Sequence, residues 1–168
     1  MSFVHSAPKF ASNEGVRDAL RRMLTLAPEP RQCHGIAAAL PRMQSQGSGH
    51  IINVGSIAGK EVYANGNVYC ATKHAVDALT RSMLIDLNPY GIKVGSINPG
   101  MVETEFSVVR FKGDEERAKK VYEGLQPLTA KDVAEVIGFM ATLPPHVNIS
   151  DLTLLPTAQG AATVVKRG

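Results

Sequence analysis

Three residues of this 168-residue chain have the types and the spacing for proton chemistry at an oxygen atom: Ser56, Tyr69 and Lys73. Tyr69 and Lys73 stand four positions apart in "GNVYCATKHAV". On a helix such residues are surface neighbours, with Cβ atoms roughly 5–6 Å apart. A free phenol loses its proton near a pKa of about 10, and a neighbouring ammonium favours the phenolate and draws that value toward working pH. A phenol tuned in this way can take or return the proton of an alcohol or carbonyl oxygen. Ser56, which closes "HIINVGS", can donate a hydrogen bond to the same oxygen and hold it in place. Each of the three, taken singly, is an ordinary turn or helix-surface residue. Chemistry requires that the fold bring them together.

The surrounding pattern supplies a way to do so. His50 to Val54 is a short, mostly apolar and β-branched run of the kind buried in a parallel sheet. From Asn67 or Val68 to Leu87 the pattern becomes helical, with Val76, Leu79, Met83 and Leu87 on one face and Pro89 and Gly91 as a stop. "IKVGSIN" then reads as a second strand, ending at Pro99 and Gly100. Strand, helix and strand in this order make a βαβ unit with parallel strands. Ligand crevices of open parallel sheets lie beyond the carboxyl ends of the strands. Gly55 and Ser56 follow the first strand and Asn98, Pro99 and Gly100 end the second, so both groups share one rim with the start of the helix carrying Tyr69.

Elsewhere the pattern is plainer. Val16, Leu20, Met23 and Leu24 recur at helical spacing behind Ser12 and Asn13, and "APEP" breaks that helix. Residues 35 to 44 read as a helix started or perturbed at Pro41, followed by the turn "SQGSG". "GDEERAKK" sets acids at the start and bases near the end of a short helix, and Thr129 with Asp132 forms a capping box ahead of a core stripe of Val133, Val136, Ile137, Met140 and Leu143. "DLTLLPT" alternates as a last strand. A chain with 44% hydrophobic residues can build one domain with a real core. Its net charge of +3 is dispersed, which argues against nucleic acid as a partner. No apolar run reaches bilayer length, no secretory leader opens the chain, and the two cysteines, Cys33 and Cys70, offer no disulfide framework, so a cytoplasmic protein with no membrane partner is expected. The scattered histidines give no metal-ligand spacing. A serine hydrolase is disfavoured, because its nucleophile elbow needs glycine two positions either side of the serine, whereas here the glycines are Gly55 and Gly59.

"INVGSIAG", "VYCATK" and "INPGMVETEF" together resemble the short-chain dehydrogenase/reductase family. "PGMVETEFSVVRFKGDE", "PLTAKDVAEVI" and "LPPHVNISDLTLLPTAQ" are most similar to its members that oxidise serine, allo-threonine and related 3-hydroxy acids with NADP. The resemblance implies an α/β, Rossmann-type, three-layer parallel sheet with flanking helices. It also implies a hydride exchanged between a small-molecule alcohol or carbonyl substrate and NADP, with NAD as the other option. Carried to matching positions, Ser56 orients the substrate oxygen, Tyr69 is the catalytic acid/base, and Lys73 lowers the tyrosine pKa. Tyr69 and Lys73 also hold the nicotinamide ribose, and Pro99, Gly100, Val102 and Thr104 line the nicotinamide. Arg110, with Lys112 near it, falls where a substrate lid would sit and is placed to clamp a carboxylate. Family members associate through the Tyr69 helix and the one before it, which implies a homo-oligomer.

The same resemblance covers residues 41 to 168 only. The glycine-rich strand–turn–helix that seats a dinucleotide pyrophosphate has no counterpart, since Gly47-Ser48-Gly49 precedes a strand instead of following one. The family's active-site asparagine has none either, and Gln32 is too poorly spaced to take the role. The expected organisation is therefore an unmatched, partly helical segment over 1–40 and the carboxyl-terminal catalytic half of the domain over 41–168. A catalytically silent module acting in oligomeric association is the alternative.

Overall fold

The computed structural model describes residues 30–168, with side chains from residue 33 onward. The helix expected over residues 12 to 26 lies outside the described residues. The first described element, α1 (Pro30–Gln46), begins on a proline, whose missing N–H costs nothing in a first helical turn. It does not start or break at Pro41, as the sequence suggested, but runs through it. Pro41 is exposed, so its ring stands on the solvent side of the helix, at the cost of one in-helix hydrogen bond. Cys33, Ile36 and Leu40 of this helix are buried. They join Ile51, Leu79, Met83, Leu87, Ile92 and Val94 in one apolar core, so α1 crosses the 40/41 junction and packs with the rest of the domain.

β1 (Gly49–Val54), α2 (Asn67–Asp86) and β2 (Ile92–Pro99) form the βαβ unit read from the sequence. β1 and β2 are parallel, with Ile51 opposite Val94 and Asn53 opposite Ser96. β5 (Asp151–Leu154) adds to the far side of β2, also parallel, giving the order β1-β2-β5. The central strand is buried from Val94 through Pro99, as expected of a parallel strand covered on both faces. One face carries α1 and α2: Ile51 meets the core beneath them, and Asn53 Nδ2 donates to Thr80 Oγ1 of α2 at 2.9 Å. The other carries α5 (Ala130–Thr142), whose Met140 lies against Gly95. The result is a three-layer α/β sheet of the expected class.

β2 leads into β3 (Val102–Glu103), α3 (Phe106–Arg110), α4 (Glu115–Lys120) and β4 (Leu128–Thr129). β3 and β4 pair in parallel as a separate two-stranded ladder, too short to leave a periodic signal in the sequence. The cap read at Thr129 is present, and Asp114 caps α4. Asp114 accepts the Arg117 N–H at 3.0 Å, and the Thr129–Asp132 capping box is complete, with the Thr129 N–H donating to Asp132 Oδ2 at 2.7 Å. The stripe on α5 is less buried than expected. Met140 is fully enclosed, but Val133, Val136, Ile137 and Leu143 are half-buried and Phe139 is exposed.

A half-buried histidine is expected to make stability depend on pH. His50 of β1 lies opposite Lys93, and neither ring nitrogen has a hydrogen-bond partner. Burial first, and then the Lys93 ammonium, push the imidazole below its ordinary value. The unfolded chain therefore binds a proton at higher pH than the folded one, and stability is retained above the unfolded value and lost as pH falls below it toward the folded value. Denaturation midpoints are expected to drop between about pH 6.5 and lower pH, and to drop less in His50→Asn. Equal pH slopes in both proteins would contradict this reading.

Candidate active site

β1 ends where the chain must pass close to β2. The Gly55 N–H donates to the Ile97 carbonyl at 2.8 Å, and a Cβ on Gly55 would stand 2.1 Å from Asn98 Oδ1, so the close approach requires glycine. Ser56 follows in extended backbone, 8% exposed. Its Oγ accepts the Ala58 N–H at 3.1 Å and so caps the 3₁₀ turn Ile57–Gly59. As the acceptor in that bond, the serine keeps its own O–H for donation to another oxygen. The turn rests on α2: a Cβ on Gly59 would lie 2.7 Å from the Lys73 carbonyl oxygen. Ser56 thus opens a turn seated on the helical turn that carries Lys73.

Tyr69 lies in the first turn of α2 and is half-buried. The Lys73 Nζ sits 5.8 Å from the centroid of the Tyr69 ring. Phe106 of α3 meets the same ring at 5.4 Å between centroids with the planes tilted 45°. Among the described residues no carboxylate lies within ion-pair reach of Lys73. The helix spacing read from the sequence has become a cation–π contact.

The second strand end completes the rim. The Gly100 N–H donates to the Leu154 carbonyl at 2.8 Å, and a Cβ there would collide with Gln159 Oε1 at 2.1 Å. That buried glutamine oxygen also accepts the Met101 N–H at 2.8 Å, fixing the path from Pro99 to Val102. The Val102 carbonyl accepts the Tyr122 hydroxyl at 2.8 Å. Thr104 is exposed, and its Oγ1 accepts the Phe106 N–H at 3.3 Å. Arg110 ends α3, with its guanidinium 5.9 Å from the Tyr63 ring and 5.5 Å from the Phe111 ring. Burial raises the Tyr63 pKa and the Arg110 charge opposes the rise. Tyr63, Phe106 and Gln159 went unnoticed in the sequence, where no spacing links them to the site.

Likeness to known proteins bears on this geometry. Residues 32–115 match the family model described as short chain dehydrogenase. The chain belongs to the short-chain dehydrogenase family. An uncharacterized oxidoreductase of Mycobacterium tuberculosis is 49% identical over 126 residues, 75% of this chain and 50% of its own length. The NADP-dependent 3-hydroxy acid dehydrogenase of Schizosaccharomyces pombe is 46% identical over 130 residues, 77% of this chain and 50% of that enzyme. A solved structure of serine dehydrogenase in its closed form, complexed with NADP+, superposes with a TM-score of 0.78 at 40% identity, covering 90% of this chain and 61% of that one. The chain thus spans about half the length of the curated relatives it matches. The match starting at residue 32 takes in nearly all of α1, including residues ahead of position 41, where the motifs in the sequence showed no resemblance.

Within a short-chain dehydrogenase, the described residues suit the nicotinamide end of a dinucleotide. The Lys73 ammonium beside Tyr69 is a hydrogen-bond donor of the type that ribose hydroxyls accept. Among the described residues no glycine-rich turn joins a strand to a helix in the way a pyrophosphate cradle requires. No helix among them is long and apolar enough to cross a membrane.

Proposed function

We propose that the chain carries the catalytic half of an NADP-dependent dehydrogenase acting on a small 3-hydroxy acid such as serine or allo-threonine. The observation that carries this reading is the Lys73 ammonium over the Tyr69 ring, on the helical turn against which the Ser56 turn is packed. Ser56 donates a hydrogen bond to the substrate hydroxyl oxygen and sets its direction. The Lys73 charge favours the phenolate of Tyr69, which accepts the hydroxyl proton as the C–H bond breaks. NADP, when bound, supplies the acceptor for the hydride. Lys73 and Tyr69 hold its ribose, the segment Pro99, Gly100, Val102 and Thr104 faces its nicotinamide, and Arg110 receives the substrate carboxylate from the lid. NAD is the other cofactor such a site can take. The relatives named for NADP and for 3-hydroxy acid or serine oxidation support the choice.

A second reading has its own observation. Val68 and Ile85, near opposite ends of α2, are 69% and 74% exposed, apolar side chains that contact between copies would cover. In that reading the chain is a silent module whose role is oligomerisation. Calorimetric titration with NADPH, followed by the oxidation of serine, allo-threonine and 3-hydroxybutyrate with NADP+, separates the two. Saturable binding with turnover supports the dehydrogenase, and the absence of both supports the module.

A further inference from the structure

The Ser56–Tyr69–Lys73 arrangement does not by itself explain what keeps Ser56 in place. Its turn begins at a glycine pressed between strands, runs buried from Ser56 through Gly59, and ends at half-buried Lys60. Lys60 closes the turn with its backbone, donating its N–H to the Ile57 carbonyl at 2.9 Å. Its side chain then reaches away from the turn. Nζ pairs with Asp77 Oδ1 on α2 and, at 2.6 Å, with Asp151 Oδ2 at the start of β5. The Lys60 and Asp77 side chains are 20% and 15% exposed, so this pair is shielded far more than an ordinary surface bridge.

Both carboxylates are tied down in turn. Asp77 Oδ2 accepts Arg81 Nε at 3.0 Å. Asp151 Oδ1 accepts Asn98 Nδ2 at 2.6 Å and Ser96 Oγ at 3.5 Å. Asn98 is the residue whose Oδ1 closes over Gly55. The contacts therefore make a ring: Gly55 to Asn98, Asn98 to Asp151, Asp151 to Lys60, and back through the turn to Ser56. Burial alone would lower the Lys60 pKa, but the hydrogen bonds and charges of Asp151 and Asp77 outweigh it and raise the value, which keeps the ammonium charged throughout the working range. Tyr69, Lys73 and Asp77 follow one another at intervals of four on α2. The stripe that carries the acid/base pair thus also carries the anchor for the serine turn.

We infer that Lys60 is a positioning residue, which locks the Ser56 turn against α2 and β5 through Asp77 and Asp151 and so sets the serine hydroxyl relative to Tyr69. The inference rests on the dehydrogenase reading for its consequence, but the geometry it asserts is measurable without substrate or cofactor. The Ala58 and Gly59 amides, bonded to Ser56 Oγ and to the Ser56 carbonyl, report whether the turn is closed. In the full chain, Lys60→Met is expected to speed amide exchange at both positions at least about 10-fold as the turn opens locally. The mid-helix amides of α2 should stay as in the unmodified chain. Lys60→Arg, which preserves the charge and both bridges, should restore protection. Asp151→Asn, which keeps the shape and removes the charge, should give an intermediate rate.

In the oxidation assay Lys60→Met should lower kcat on the order of 10-fold while the KM for NADP is unchanged, because the substrate oxygen and not the cofactor is misplaced. Unchanged protection in Lys60→Met, or failure of Lys60→Arg to restore it, overturns the inference even where the enzyme is active. A protein that shows the exchange pattern yet binds no NADPH instead overturns the functional reading and leaves the lock standing.

Discussion

Tyr69→Phe is expected to lower the NADP-dependent oxidation of a 3-hydroxy acid by about 10²–10⁴-fold, the range a positioned general acid or base contributes. The substitution removes one oxygen and leaves the ring. Phenylalanine keeps the tilted contact with Phe106 and the Lys73 ammonium over its face. A drop in rate with no drop in stability would assign the loss to the proton and not to the fold. A variant that turns over within a few-fold of the parent would show that some other group handles the proton.

The second large effect concerns the sheet that holds both strand ends. Gly95 lies in the middle of β2, where a Cβ would stand 2.1 Å from the backbone carbonyl oxygen of Ile149 and 3.4 Å from Met140 Cε. A side-chain neighbour could swing aside, but a carbonyl one residue from the Ser150 oxygen that receives the Ser96 N–H cannot move without pulling β5 from β2. Gly95→Val is therefore expected to destabilise the chain by at least about 3 kcal/mol, the upper end of overpacking costs. Gly138 supplies the contrast: it is an exposed interior position of α5, where an added methyl would meet nothing within 4 Å and the backbone has no positive φ. Gly138→Ala should stabilise by about 0.5–1 kcal/mol. Chemical denaturation of the two variants measures both signs, and a Gly95→Val protein that unfolds with the parent would contradict the packing described.

Which parts of the fold were legible in the sequence depends on the range over which each signal acts. β1 and β2 could be read as short apolar runs bounded by turn residues, and α2 by its 3.6-residue period, signals that act within a few residues. The cap at Thr129 could be read because its partner lies three residues away. Tyr69 and Lys73 were visible for the same reason, being one helical turn apart. Pro41 misled, since a proline on an exposed helix face costs a hydrogen bond without ending the helix. The β3–β4 ladder was invisible because strands of two residues have no period. The Lys60 lock was invisible as well: its partners lie 17 and 91 residues away, and only the folded sheet brings them together. Arg110 lies on α3, in the segment read as a lid, but its approach to the Tyr63 ring comes from the tertiary fold.

The local placement of the serine turn and the acid/base pair is built from β1, α2 and β2, all described in this chain. These residues can therefore show their chemistry in isolation from whatever seats the far end of a dinucleotide. That makes a spectroscopic test more direct than any assay of turnover. With tyrosines carbon-13 labelled at the ring position bearing the hydroxyl, NMR follows the Tyr69 phenol through its titration, the Tyr69→Phe spectrum identifying its signal. If the Lys73 ammonium stabilises the phenolate, Tyr69 titrates at distinctly higher pH in Lys73→Met than in the parent chain. If the two curves coincide, lysine does not tune the phenol and the proposed acid/base pair fails.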